Sequence, residues 1–181
     1  MSKSGIAVRC GFVLVLLLCA GLFADAQTAK PGAWRPATDA ELKALIPARA
    51  PVVQERIETE LRAASGITDG RGKYVAGVVL ITAGYSADGK YSHFLVVQSP
   101  IRVGGVALAP GEYVFGWIRS ASGDSLSVHF HVAATSALVG TTDAHRIVGS
   151  NRVESLHIWP PGDKALIQIG RFGIPYEIGQ E

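Results

Sequence analysis

The stretch that most constrains the fold is residues 101–119, where two apolar runs flank a turn at Pro110 and Gly111. The second run has a period of two, in the order Tyr113, Val114, Phe115, Gly116, Trp117 and Ile118. Because successive side chains of a strand point to opposite faces, this alternation predicts a β-strand. Gly104 and Gly105 favour another tight turn, since glycine adopts positive φ without a steric cost. The stretch therefore predicts two short strands and one long strand.

The rest of the chain after residue 74 follows the same pattern of short extended runs separated by turn residues. The predicted strands are residues 74–85, 91–98, 126–133, 138–148, 152–159 and 165–172, in addition to those within 101–119. Residues 74–85 are apolar on both faces, which predicts a central strand covered on each side. This pattern of about eight strands with short turns favours an antiparallel β-sandwich or β-barrel in a mainly β protein.

The segment before this β region has helical signals. Thr38 and Glu41 have the spacing of a capping box, in which each side chain bonds the backbone N–H of the other residue, and Pro47 ends that short helix. A second helix is predicted over residues 51–64, where apolar residues recur at helical spacing: Val53, Ile57, Leu61 and Ala64. We therefore expect a lead-in and two short helices over residues 27–66, and the antiparallel β domain over residues 67–181.

The first 26 residues have the features of a secretory signal peptide. Lys3 and Arg9 form a basic start, residues 11–23 are apolar, and an A-x-A cleavage pattern ends at Ala26. We expect cleavage after Ala26 and a secreted protein, located in the periplasm or outside the cell. The apolar run is shorter than the roughly 20 residues that span a bilayer, so no membrane span is predicted for the mature chain.

Removal of the signal peptide changes the composition that matters for function. Cys10 and Cys19 both leave with it, so no disulfide is expected in the mature chain. The segment also takes two of the 17 basic residues and one of the 15 acidic residues, which leaves 15 basic and 14 acidic residues scattered along the chain. A clustered basic face is typical of proteins that bind nucleic acid, and its absence from the sequence argues against that partner.

His129 and His131 are the most suggestive candidate ligands for a metal ion. Two positions apart on a predicted strand, their imidazoles project from one face, and histidine is a common metal ligand. The spacing resembles the His-x-His motif of cupins, although the glycines before the motif and the family's following Glu or His are absent. A third ligand would come from elsewhere, and the available donors are His93, Glu112, Glu154 and His157. The alternative is that both histidines face water on an amphipathic strand.

Aromatic residues supply the second candidate site. Tyr113, Phe115 and Trp117 share one face of their predicted strand, and Tyr113 and Trp117, together with His157, are candidates to line a face that binds a sugar ring or an apolar molecule. The alternative is that this aromatic face forms part of the hydrophobic core, with His157 hydrogen-bonded at its edge.

Motifs that would fix a reaction are missing from the sequence. It has neither the G-x-S-x-G of a nucleophile elbow nor a phosphate-binding glycine loop, so no catalytic residue is assigned. Residues 104–113 resemble a hairpin element of uncharacterised secreted bacterial β-domain families, and the resemblance implies a secreted β domain without an activity. We expect a non-enzymatic binding or structural module for a small molecule, saccharide or protein, with no cofactor. The alternative is a cupin-like, metal-dependent enzyme that uses His129 and His131 to hold a divalent metal ion.

Overall fold

The computed structural model describes residues 33–82, 90–149 and 151–179. The predicted signal peptide, both cysteines and the last three residues of the predicted strand at 74–85 lie outside these residues, so those expectations remain predictions. None of the helical segments in the described part has the length and apolar character needed to cross a bilayer.

The described residues form a mainly β structure with one helix and thirteen strands. The helix is α1 (Asp39–Leu45), and the strands are β1 (Arg35–Pro36), β2 (Arg49–Val52), β3 (Glu55–Thr68), β4 (Tyr74–Leu80), β5 (His93–Val97), β6 (Ile101–Val103), β7 (Val106–Leu108), β8 (Gly111–Arg119), β9 (Ser125–Val132), β10 (Leu138–Arg146), β11 (Glu154–Trp159), β12 (Leu166–Gly170) and β13 (Phe172–Ile178). Every strand pair in the structure is antiparallel, as the short turns predicted.

Helix α1 begins with the predicted capping box. The Thr38 hydroxyl accepts a hydrogen bond from the Glu41 N–H at 3.3 Å, and the Glu41 carboxylate accepts one from the Thr38 N–H at 2.8 Å. Arg35 adds two hydrogen bonds to the same carboxylate, at 2.7 and 3.0 Å, and these lower the pKa of Glu41 to about 2. The helix ends where Ile46 turns extended before Pro47, which confirms the first predicted helix.

The second predicted helix is wrong, because residues 51–64 belong to the β2–β3 hairpin. Arg49 pairs with Glu58 and Val52 with Glu55, around a turn in which Val53 has a φ of 55°. Burial follows a period of two here, since Ile57 and Thr59 are buried and Glu58 is exposed. Pairing with β2 and β4 satisfies the backbone groups of β3, and this tertiary pairing outweighs the helical spacing of a few apolar residues.

The strand count is also higher than the predicted eight. The N-terminal segment contributes β1, β2 and β3, and the predicted strand at residues 165–172 is divided by a turn at Gly170, where φ is 60°. The residues beyond that turn, expected to be a short extended tail, form β13 and pair with both β12 and β6. Bulges and tight turns therefore divide the extended regions into more strands than the apolar pattern predicts.

The main sheet curls into a nearly closed barrel, in the order β1-β3-β4-β5-β8-β9-β10-β13-β12-β11. Its free edge, β11, approaches β3, where the Ile158 N–H donates a hydrogen bond to the Ser65 hydroxyl at 2.9 Å. This contact brings the two ends of the sheet order together.

Two hydrophobic clusters lie on the two faces of this sheet. Tyr113 and Phe115 of β8 belong to the inner cluster that fills the barrel, whereas Val114 belongs to an outer cluster. Leu42 and Ile46, from helix α1 and its C-cap, cover the outer face with residues of the β2–β3 hairpin. Because the barrel interior is packed with side chains, a cavity that opens into the barrel has to lie at one of its ends.

Candidate functional site

Eight strand termini meet at one end of the barrel. Strands β4, β8, β10 and β12 end there, and β5, β9, β11 and β13 begin there. Two cavities of about 360 and 590 Å³ open between these termini. Four residues line both cavities, which are therefore continuous parts of one site: Trp117, Val153, Ile169 and Gly170. We refer to the two cavities, with these four shared residues, as the mouth.

Trp117 lies at the junction of the two cavities. It follows Tyr113 and Phe115 in the inward-facing series of β8, and it pairs with Val128 of β9. Its indole Nε1 is buried and has no hydrogen-bond partner within the described residues. A buried N–H without a partner costs about 1–3 kcal/mol, so a molecule in the mouth that reached this donor would recover that free energy.

His93 lines the larger cavity from the inner face of β5. Its ring stacks on Phe115, with 4.7 Å between the ring centroids and 1° between the planes. The Ser155 carbonyl oxygen lies 3.2 Å from Nε2, and the Ser92 hydroxyl lies 2.8 Å from Nδ1. Burial lowers the pKa of His93 to about 4. The imidazole is therefore neutral at neutral pH, and both of its nitrogens have partners.

Three arginines line the smaller cavity: Arg119 at the end of β8, Arg146 at the end of β10, and Arg171 between β12 and β13. The Arg119 and Arg146 guanidinium carbons lie 5.3 and 5.5 Å from the centre of the Phe172 ring. Glu154 is the only acidic residue among the described residues that line the mouth, and it forms an ion pair with Arg152. The smaller cavity therefore has a positively charged rim.

His129 and His131 lie on the outer face of β9, opposite to the barrel core. The His129 Nδ1 is 3.2 Å from the Thr141 hydroxyl, and its Nε2 is buried without a partner in the described part of the chain. The His131 Nδ1 is buried and unpartnered in the same way, and its ring makes an edge contact with Tyr91 at 6.0 Å. Desolvation lowers the pKa of His131, with smaller contributions from Lys90 and His129.

The histidine pair has no third ligand among the described residues. Residues 33–82, 90–149 and 151–179 contain no group of three or more side chains that could hold a metal ion. His93 points into the barrel, on the other face of the sheet. Glu154 is engaged with Arg152 at the mouth. The described side chains therefore bring together two imidazoles and leave the predicted third ligand unassigned.

The residues predicted to form one ligand face occupy three different places. Trp117 reaches the mouth, whereas Tyr113 is buried in the core and donates its hydroxyl to the Ala109 carbonyl at 2.7 Å. Burial raises the pKa of Tyr113. His157 lies on the outer face of β11, with its ring 4.2 Å from that of Trp159, and desolvation lowers its pKa. Only Trp117 of this set lines a cavity of the mouth.

The arginines of the mouth were missed by the sequence interpretation, and His93 was considered only as a possible metal ligand. Arg119, Arg146 and Arg171 are isolated in the sequence, and no motif connects them. Each of the three lies at a strand terminus. Only the strand order shows that these termini lie at the same end of the barrel.

Comparisons of the chain with protein-family models, curated proteins and solved structures found no match.

Proposed function

We propose that this chain is a non-enzymatic binding module that takes a small molecule into the mouth of its barrel. The observation that carries the proposal is the buried, unpartnered Nε1 of Trp117 at the junction of the two cavities. Small-molecule sites are concave, largely apolar and oriented by a few polar groups, with typical volumes of about 300–1,000 Å³. The mouth has this combination of size and chemistry.

Binding is favoured over catalysis by the state of His93, a titratable group that lines the larger cavity. His93 lines the larger cavity, but its two ring nitrogens are engaged by Ser92 and Ser155. Because its pKa is about 4, the ring is neutral at neutral pH and does not supply the imidazolium form of a general acid. The polar groups that remain available in the mouth, the Trp117 N–H and the arginines, bind and orient a molecule.

We further propose that the module acts outside the cytoplasm, after removal of residues 1–26. The basic start, apolar run and A-x-A pattern of the N-terminus support this. Mass spectrometry of protein recovered from the periplasm or medium of a bacterial expression host is expected to give a chain that begins at Gln27. An intact chain retained in the cytoplasm would contradict secretion without affecting the binding proposal.

The binding proposal is tested by the indole N–H signals of ¹⁵N-labelled protein. The chain has three tryptophans, so the Trp117 signal is identified as the one lost in Trp117→Phe. Octan-1-ol and octanoate are the probes, because each combines an apolar chain with a hydrogen-bonding head. We expect saturable movement of the Trp117 signal with at least one probe.

Trp159 provides the internal control for this experiment. Its Nε1 donates to the Gln168 side chain at 3.1 Å on the outer side of the barrel, so its signal is expected to stay in place. If neither probe moves the Trp117 signal, or if all three indole signals move together, binding at the mouth is refuted.

A metal-dependent function at His129 and His131 is the second candidate. It is favoured by one observation, the two buried and unpartnered ring nitrogens on neighbouring outward positions of β9. We expect protein refolded with stoichiometric zinc, iron and manganese, then desalted, to retain one of these metals. The double variant His129→Ala/His131→Ala is expected to lose it. Absence of retained metal, or equal retention in the variant, would refute this candidate.

A further inference from the structure

The positive charge at the smaller cavity of the mouth limits which class of molecule can bind there. Arg119 and Arg146 come from strands β8 and β10, which lie on either side of β9, and both approach the ring of Phe172. This phenyl ring is buried, so the two guanidinium groups share an apolar contact within one cavity. Cation–π contacts of this kind stabilise each charge only weakly at exposed sites and do not neutralise it.

These arginines have no carboxylate partner within 4.0 Å among the described residues, where the ion pairs involve other arginines. Within the described part of the chain, the one hydrogen bond made by either guanidinium is a long contact of 3.5 Å from Arg146 to the Gly123 carbonyl. Arg171 adds a third positive charge to the same cavity. Like charges that converge without a counter-charge repel one another, so an anion at this position lowers the electrostatic energy of the folded protein.

The remaining surface of the cavity is apolar. Leu126, Ile169 and Phe172 are buried side chains that form its floor, and Val153 is 58% exposed at its edge. Trp117 and Arg119 project to the same face of β8, so a neutral donor and a charged donor follow one another along the wall. A hydrophilic anion would leave the apolar floor in contact with water. An amphipathic anion would cover it, and removal of this apolar surface from water favours binding.

We propose that the mouth binds an apolar carboxylic acid in its ionised form, of the type of a medium-chain fatty acid. Its carboxylate lies between Arg119 and Arg146, and its hydrocarbon chain lies against Trp117 and Ile169. Arginine suits this head group because its planar fork of N–H donors matches the two oxygens of a carboxylate. This inference rests on the proposed binding at the mouth and adds the chemical class of the ligand.

The experiment compares two ligands with the same chain length and different heads. Octanoate and octan-1-ol are titrated separately at neutral pH, and the dissociation constant of each is obtained from the movement of the Trp117 indole signal. We expect octanoate to bind about tenfold more tightly, since charge-assisted hydrogen bonds are roughly twice as strong as neutral ones. This preference is expected to shrink in 0.5 M NaCl, because exposed charges are screened by salt.

Removal of the positive charges tests the assigned residues. In Arg119→Gln/Arg146→Gln we expect the affinity for octanoate to fall to that for octan-1-ol, with the affinity for octan-1-ol unchanged. The matched control is Arg49→Gln/Arg56→Gln, which removes two exposed arginines from the β2–β3 hairpin and is expected to leave both affinities unchanged. Backbone amide spectra of each variant confirm that its fold is preserved.

The possible outcomes separate this inference from the function on which it rests. Equal affinities for the two probes in the wild-type protein refute carboxylate recognition and leave binding at the mouth in place. A tenfold preference that survives in Arg119→Gln/Arg146→Gln refutes the assigned arginines. Failure of both probes to move the Trp117 signal refutes the proposed function and this inference with it.

Discussion

The backbone N–H of Ile158 on β11 donates a hydrogen bond to the Ser65 hydroxyl on β3, although 93 positions separate the two residues in the chain. The contact is buried, and it lies where the sheet order would otherwise have a free edge. A side chain therefore satisfies a backbone donor at the point where β3 and β11 close the barrel. In β3 the register with β4 shifts between Glu60 and Ser65, which marks a bulge at this point.

Replacement of Ser65 by alanine is expected to weaken this closure. The Ile158 N–H would stay buried without a partner, which costs about 1–3 kcal/mol of the free energy of unfolding. Urea denaturation followed by circular dichroism measures the loss. Ser127→Ala is the control. Ser127 lies on the outer face of β9, and its hydroxyl makes no hydrogen bond to any of the described residues. Equal stabilities for the two variants would show that the contact contributes nothing.

Protonation of His93 is expected to destabilise the fold as the pH decreases. Burial lowers its pKa from the ordinary value of 6.5 to about 4, so between these values the unfolded chain binds more protons than the folded protein. Stability therefore decreases as the pH falls through this window, and the contribution of this one group reaches about 3 kcal/mol once the pH is below 4. Urea denaturation at a series of pH values from 7 to 4 measures the slope.

The variant His93→Gln distinguishes the loss of stability caused by protonation of His93 from the loss caused by protonation of carboxylates. Its absolute stability is expected to be lower, because the stacking on Phe115 is lost, but its stability is expected to vary less between pH 6.5 and 4. The exposed His145 gives the matched control, His145→Gln, which is expected to retain the wild-type slope. An unchanged slope in His93→Gln would show that this imidazole is not held neutral by burial.

The two glycines between β6 and β7 are expected to tolerate substitution unequally. Both have positive φ, 53° at Gly104 and 92° at Gly105, so alanine costs about 1–2 kcal/mol at either position. A Cβ on Gly104 would also overlap the Thr142 hydroxyl, whereas a Cβ on Gly105 meets no atom within 4 Å. Overpacking of this kind costs roughly 1–3 kcal/mol more. Thermal unfolding of Gly104→Ala and Gly105→Ala compares them, and a larger loss at Gly105 would contradict this packing.

The capping box of α1 is expected to contribute measurably to stability. Thr38→Ala removes the acceptor of the Glu41 N–H and is expected to cost about 1 kcal/mol. Thr38→Ser retains the hydroxyl and serves as the control, with a smaller loss. Because α1 covers the outer cluster through Leu42, the midpoint of cooperative unfolding is expected to change. Tryptophan fluorescence measures this midpoint. Indistinguishable midpoints for Thr38→Ala and Thr38→Ser would contradict a capping role.

Local sequence patterns predicted the elements whose determinants lie within a few residues. The alternation of Tyr113, Phe115 and Trp117 predicted β8, and the pair Thr38 and Glu41 predicted the start of α1. The apolar run after residue 74 predicted a strand covered on both faces, and β4 contributes Val75 to the inner cluster and Val78 to the outer one. The failure over residues 51–64 arose because the helical spacing of apolar residues competed with strand pairing, which depends on partners elsewhere in the chain.

By itself, the sequence determined the class of the protein and much of its local geometry, because strand alternation, turns and caps follow from steric preferences of neighbouring residues. Tertiary structure alone decided where the candidate site lies. Arg119, Arg146 and Arg171 converge at the mouth because β8, β10 and β12 all end on the same side of the barrel. Strand order and register are set by packing between distant segments, and they place Trp117 at a cavity while His129 and His131 face outward on the neighbouring strand.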